Sequence, residues 1–271
     1  MAESKKIFVV VDPSHSKHIA LERAIKTAQL AEQPPVVKVF VAVDADAVDT
    51  RAVNNNLFRD QSWFSAEIRT PLENAGVEYS LEVCWSSEWQ ESIARAAKPF
   101  HPDLIYLPVH ERGSSTRLFF TESKWKLLKN AECPVALIQP GAKEKREIIL
   151  AAVNFQATKD EQIKLNQSII GAGERLAGYY GAELHIVNAY LDSMHYPDRG
   201  RLAKESGVPP ERIHVEEGYT NEAVAALAKR LGADLVIIGT LNQKGLTATR
   251  RGNTAERVIS ALDQDVVVVN Y

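Results

Sequence analysis

The 271-residue sequence has few cysteines and no long apolar run, and these two features exclude several classes of protein. Two cysteines, Cys84 and Cys133, are too few for a disulfide scaffold. We interpret both as buried, unreactive thiols in a protein of the reducing cytoplasm. No apolar run approaches the roughly 20 residues of a membrane-spanning helix. The N-terminal run IFVVVD is too short for a signal peptide and is predicted to be a first strand.

The sequence also lacks an excess of basic residues and the common catalytic motifs. The net charge is −3, from 32 basic and 35 acidic residues, which argues against a broad nucleic-acid surface. The seven histidines are dispersed, and no H-E-x-x-H or Cys/His cluster occurs, so no metal site is predicted. Ser14 lacks the G-x-S-x-G elbow of a hydrolase nucleophile, so a catalytic triad has no support in the sequence.

Short apolar runs rich in Val, Ile and Leu alternate with longer amphipathic segments along the whole chain. Such near-continuous runs are typical of strands that are covered on both faces, as in parallel sheets. The segments between them carry apolar residues at helical spacing and suit crossover helices. The pattern predicts an α/β fold.

The two halves of the chain match each other at a constant shift. ESIARAAKPFHPDLIYL (91–107) lies over EAVAALAKRLGADLVII (222–238), a shift of 131 residues. We interpret this as a duplicated unit of about 130 residues, joined by the Pro-, Gly- and charge-rich linker 139–147. The predicted domains are 1–141 and 146–271, each a doubly wound sheet that binds ligands beyond its strand carboxyl ends.

One loop of the second half, GTLNQKGLTATRRGNT (239–254), sits where this rule places a ligand. Gly239 follows a predicted strand, where a side chain would obstruct close approach of a ligand to the backbone. Gly252, Asn253 and Thr254 open a predicted helix, whose free N–H groups and dipole attract anions. An ordinary polar loop with helix caps remains an alternative, because glycine-rich loops often match by chance.

The same loop resembles the pattern G-x-x-G-x9-G-[ST] of universal stress proteins, with Gly239 and Gly252 at the family's spacing. IFVVVDPS near the start and DLVIIGT in the second half resemble the family too. Two tandem copies resemble the E-type members. This resemblance implies two tandem universal-stress-protein-type domains of the Rossmann-like, adenine nucleotide alpha-hydrolase-like fold. Each would have a five-stranded parallel sheet between helices.

The resemblance implies a weakened site for ATP or another adenine nucleotide in the C-terminal domain, without a metal. Asn242 replaces the middle glycine of the pattern, Asn253 its final Ser/Thr, and Asn154 the acid that ends the first strand. The candidate binding residues are Asn154, Ala189, Gly239, Thr240, Asn242, Gly245, Gly252, Asn253 and Thr254.

The loop of the first half has diverged further, and we predict that this half does not bind nucleotide in the family's way. Pro108 stands at the position of Gly239, where it fixes φ and removes a hydrogen-bond donor. Asp12 keeps the family's first-strand acid but is interpreted as bracing the following turn, PSHS. Trp125, Phe119 and Phe120 are predicted to fill the vacated pocket. An apolar ligand site or a packing face between the halves is the alternative.

The function that these features favour is that of a cytoplasmic, non-catalytic stress-response protein that senses a nucleotide or other small ligand, or binds partners. A weak ATPase that uses the Gly239–Gly252 loop is one alternative, and a ligand-free or apolar-ligand-binding scaffold is another. The loop has no Asp or Glu before Glu256, which favours binding over catalysis. We expect no nucleic-acid or membrane partner. The two halves should pack as an intramolecular pair, and a homodimer of whole chains stays open.

Overall fold

The computed structural model describes residues 5–45, 61–109, 125, 127–128, 131–141, 143, 145–241 and 254–270. Apart from Leu128, the described chain divides into two compact units between Pro140 and Gly141. Each unit alternates strands with helices, as the apolar pattern predicts.

The N-terminal unit is a parallel sheet with helices between its strands. Its described strands are β1 (Lys6–Val11), β2 (Val36–Asp44), β3 (Tyr79–Ser86), β4 (Leu104–Pro108) and β5 (Val135–Ile138). Its described helices are α1 (Ile19–Leu30), α2 (Gln61–Trp63), α3 (Thr70–Asn74) and α4 (Trp89–Ala97), with a π-helical segment (Phe64–Arg69) between α2 and α3 and a 3-10 turn (Lys98–Phe100) after α4. The strand order is β3-β2-β1-β4-β5, and the described pairs are parallel.

The C-terminal unit repeats this arrangement. Its described strands are β6 (Ile148–Val153), β7 (Glu183–Tyr190), β8 (Ile213–Glu217), β9 (Leu235–Thr240) and β10 (Asp265–Asn270). Its described helices are α5 (Asp160–Tyr180), α6 (Arg199–Ser206), α7 (Thr220–Leu231) and α8 (Thr254–Ser260), with 3-10 turns at Ser193–His195 and Pro210–Arg212. The order β8-β7-β6-β9-β10 is again parallel and places the switch point between β6 and β9. The predicted five-stranded parallel sheet is therefore confirmed in both units.

A pair of aspartates explains why the two halves share an Asp-Leu dipeptide. In the first unit, the Asp103 carboxylate accepts a hydrogen bond from the Lys6 N–H at 2.8 Å. In the second, the Asp234 carboxylate accepts from the N–H groups of Glu147 and Ile148 at 2.8 and 3.0 Å. The backbone N–H of each aspartate also donates to a carbonyl oxygen in the first strand of the same unit, at 2.9 Å. The shared residue thus fixes the fourth strand of each unit beside the first.

Candidate functional site

A cleft of about 680 Å³ lies at the carboxyl ends of β6, β7 and β9 in the C-terminal unit. This is the switch point of the sheet, the usual ligand position in such folds, and the volume falls in the range of small-molecule sites. Five residues predicted from the sequence lie together in its wall: Asn154, Ala189, Gly239, Thr240 and Thr254. The other four, Asn242, Gly245, Gly252 and Asn253, lie outside the described residues, so their roles stay predictions.

Helix packing explains why position 239 is a glycine, and the sequence prediction missed this explanation. It lies inside β9 and not after it, because the strand continues to Thr240. A Cβ at this position would come within 2.7 Å of Leu165 Cδ1 and Cγ and within 2.8 Å of Ile169 Cδ1. Both residues belong to α5, so the glycine permits close packing of α5 on β9. This helix–strand contact accounts for Gly239 without any ligand.

Asn154, which replaces the family's acid, follows β6 and has its backbone held by a buried amide. The Asn166 side chain accepts from the Asn154 N–H at 3.0 Å and donates to its carbonyl oxygen at 2.7 Å. Asn166 is only 4% exposed, so the clamp comes from within α5. The backbone of Asn154 is therefore fixed at the cleft wall. The residue is exposed, and its amide side chain offers both a hydrogen-bond donor and an acceptor.

A second amide network connects the ends of β6 and β7. The fully buried Asn188 accepts from the Phe155 N–H at 2.6 Å and donates to Gln156 Oε1 at 2.9 Å and to the Ala189 carbonyl at 3.0 Å. Gln156 Nε2 donates in turn to the carbonyl oxygens of Ala189 and His195, both at 3.0 Å. The cleft floor and the turn after β7 are therefore tied together by neutral groups.

The sequence reasoning named no role for Asp192 and His195, which lie in the cleft wall just after β7. Their side chains form a hydrogen-bonded pair, with His195 Nδ1 at 2.8 and 2.9 Å from the two Asp192 carboxylate oxygens. The hydrogen bond to His195 is the main cause that lowers the pKa of Asp192 below its usual value. A signal was present, because D-x-x-H follows a predicted strand at the end where ligands bind.

In the N-terminal unit the equivalent acid is Asp12, and its carboxylate is hydrogen-bonded within the turn that follows it. The Asp12 carboxylate accepts from the Ser14 N–H at 2.9 Å and from the Ser14 hydroxyl at 2.6 Å, and it lies 3.2 Å from His15 Nδ1. Asp12 therefore braces the PSHS turn as predicted. The Ser14 hydroxyl also lies 3.1 Å from the same Nδ1, whereas a hydrolytic triad uses the two opposite ring nitrogens.

Other predicted features of the first half are only partly described. Trp125 is half-buried in a helical position, while Phe119 and Phe120 lie outside the described residues, so the filling of a vacated pocket stays a prediction. Burial raises the pKa of Cys133 to about 12, which agrees with an unreactive thiol. Cys84 is half-buried in β3.

The described residues lack both a cluster of metal ligands and a membrane-spanning helix. In the part of the chain that the structure describes, no group of three or more His, Cys, Asp or Glu residues could hold a metal ion. The described helices include none with the length and apolar character needed to cross a membrane.

Comparison with known proteins supports the fold and the repeat. The model of the universal stress protein family matches the chain twice, over residues 3–139 and 156–270. A universal stress protein E homolog of Haemophilus influenzae is 26% identical over 300 aligned positions, covering 95% of this chain and 94% of the relative. Universal stress protein E of Escherichia coli K12 is also 26% identical, with coverage of 99% and 95%.

Solved structures of universal stress proteins share this fold over nearly the whole chain. A putative universal stress protein from Pseudomonas aeruginosa UCBPP-PA14 has a TM-score of 0.75 at 25% identity and covers 98% of this chain and 93% of its own. A universal stress protein from Archaeoglobus fulgidus has a TM-score of 0.71 at 14% identity, with coverage of 97% and 98%, which shows the shared fold. The resemblance to tandem, E-type members thus extends over nearly the whole length. The chain belongs to the universal stress protein family and carries two copies of the family domain in tandem.

Proposed function

We propose that the C-terminal unit binds an adenine nucleotide such as ATP in the cleft at the ends of β6, β7 and β9. In this proposal the chain acts in the cytoplasm as a non-catalytic, ligand-sensing stress-response protein. The observation that supports it most is the cleft itself, whose wall unites Asn154, Ala189, Gly239, Thr240 and Thr254 at the sheet's switch point.

The charges of the cleft support binding without catalysis. Among its described lining residues, Asp192 is the one carboxylate. Nucleotide hydrolysis generally needs a carboxylate that holds a metal ion beside the phosphates. Asp192 instead contacts His195 and the Met194 N–H, and it follows β7 and not β9, where the family's loop begins. The other described polar side chains of the wall are the His195 imidazole, amides and hydroxyls.

Calorimetric titration of the full chain with millimolar ATP tests the proposal. We expect saturable heat and a rise in the thermal unfolding temperature, because a ligand that binds only the folded state stabilises it. Ala189→Phe, which places a ring in the cleft wall, should abolish both effects. Ala226→Phe adds the same ring on the exposed surface of α7 and should leave both unchanged. Absence of heat and of thermal protection in the unaltered chain would refute nucleotide binding.

We also propose, from the duplication alone, that the two units pack as an intramolecular pair. One chain would then encode the two copies that single-domain members bring together from separate chains. Gel filtration coupled to light scattering should show a mass near the 30.0 kDa of one chain that elutes as a compact particle. Earlier elution at this mass would contradict the intramolecular pair. A mass of twice that value would show that whole chains associate further.

A further inference from the structure

The Asp192–His195 pair lies in the cleft wall and fixes which nitrogen of the imidazole ring carries the proton. His195 Nδ1 lies within hydrogen-bond distance of both Asp192 oxygens, at 2.8 and 2.9 Å, so this nitrogen carries the proton that is donated. Asp192 Oδ1 also accepts from the Met194 N–H at 3.0 Å, which fixes the carboxylate. Nε2 is the remaining ring nitrogen, and it has no hydrogen-bond partner among the described residues. In the neutral imidazole it is an acceptor.

The turn that carries this imidazole is held in place although the side chain is 67% exposed. The His195 N–H donates to the Asp192 carbonyl at 3.0 Å. The His195 carbonyl accepts from Gln156 Nε2, which also binds the Ala189 carbonyl at the end of β7. The ring therefore has a defined position beside the cleft.

The strand order indicates which part of a nucleotide this position would meet. β6 lies between β9 and β7, so the ends of β7 and β9 are separated by two strand spacings, about 10 Å. On the proposed function, on which this inference rests, the phosphates lie beyond β9, beside Thr240 and the start of α8. The other end of the nucleotide then lies toward β7. Tyr190 and Tyr196 also lie on this side, with their ring centroids 5.2 Å apart in an edge-to-face arrangement.

We propose that His195 reads the nucleobase. Its neutral Nε2 accepts a hydrogen bond from the exocyclic amino group of adenine or cytosine. The keto oxygen of guanine or uracil at the same place would set two acceptors against each other. Asp192 is the positioning residue, because it holds the proton on Nδ1.

The test is calorimetric titration of the full chain with ATP, CTP, GTP and UTP at pH 8.0. All four share the triphosphate, so its contribution cancels in affinity ratios. We expect ATP and CTP to bind about fivefold more tightly than GTP and UTP, the effect of one net hydrogen bond.

Three variants separate this role from a structural one. His195→Gln offers both a donor and an acceptor, so it should remove the base preference while binding persists. Asp192→Asn keeps an equally good cap for the 3-10 turn but frees the tautomer, so the preference should weaken. His15→Gln, in the N-terminal unit, should leave the preference unchanged. A base preference that is absent in the unaltered chain, or unchanged in His195→Gln, overturns this inference alone. Failure of all four nucleotides to bind overturns the proposed function with it.

Discussion

Gly239→Ala is expected to destabilise the C-terminal unit, because the glycine lies under α5. An alanine Cβ would stand 2.7–2.8 Å from carbon atoms of Leu165 and Ile169, whereas carbon atoms normally approach to about 3.5–4.0 Å. These side chains must therefore retreat by roughly 0.7 Å or more, and overpacking of this kind costs about 1–3 kcal/mol. Replacing a strand glycine otherwise gains about 0.5–1 kcal/mol. The difference between the midpoints of these two ranges is an expected net loss of about 1 kcal/mol of unfolding free energy.

Urea unfolding followed by far-UV circular dichroism measures this loss. All four tryptophans precede residue 126, so tryptophan emission reports the N-terminal unit separately. Gly178→Ala is the matched control: it lies in α5, no atom lies within 4 Å of its added Cβ, and it should gain about 0.5–1 kcal/mol. In a Leu165→Ala background the cost of Gly239→Ala should shrink, because the clash is relieved. Undiminished stability in Gly239→Ala, with ATP affinity alone lost, would refute the packing explanation.

Three further predictions concern buried groups. Arg146→Met leaves the fully buried Asp265 carboxylate without its 2.7 Å ion pair, and should cost about 3–5 kcal/mol in urea unfolding; Asp265→Leu added to it should restore most of the loss. Burial, and then the nearby His185, lowers the pKa of His214 below its usual 6.5, so the unfolded chain takes up this proton at higher pH. Stability should therefore be complete above pH 6.5 and fall as the pH decreases below it, with a shallower fall in His214→Gln. Both thiols are half-buried, but burial raises the pKa of Cys133 to about 12, so a disulfide reagent should modify Cys133 more slowly than Cys84 in the folded protein and at a similar rate after unfolding.

Each of these has a clear contrary result. Equal stability of the arginine variant and the unaltered chain would mean that the ion pair contributes nothing. A urea midpoint that is the same at pH 5 and pH 7.5 would contradict the lowered histidine pKa. Equal reaction rates of the two thiols in the folded protein would contradict the raised pKa of Cys133.

The sequence predicted the fold because its signals are local or repeated. Runs such as DLVIIGT mark strands by themselves, and the shift of 131 residues placed Asp103 over Asp234 before their shared role was visible. That role, a hydrogen bond to the first strand of each unit, is the kind of constraint that keeps an Asp-Leu pair in both halves.

The candidate site was only partly predictable, because its geometry depends on contacts between distant residues. Asn188 reaches Phe155 across 33 positions, and no periodicity signals such a hydrogen bond. Gly239 was interpreted as space for a ligand, since the packing of Leu165 against β9 depends on how α5 crosses the sheet. Asp192 and His195 form a pair through a local turn, but their importance follows from a cleft that only the tertiary structure reveals.

Hydrogen–deuterium exchange of the full chain, with and without millimolar ATP, shows directly whether the C-terminal unit binds the nucleotide. On addition of ATP we expect slower exchange at the ends of β6, β7 and β9, in peptides that contain residues 154–156, 189–195 and 239–241. Peptides from the carboxyl ends of β1 and β4 should not change. Unchanged exchange in the C-terminal unit, or protection confined to the N-terminal unit, would contradict the claim that the second domain holds the nucleotide.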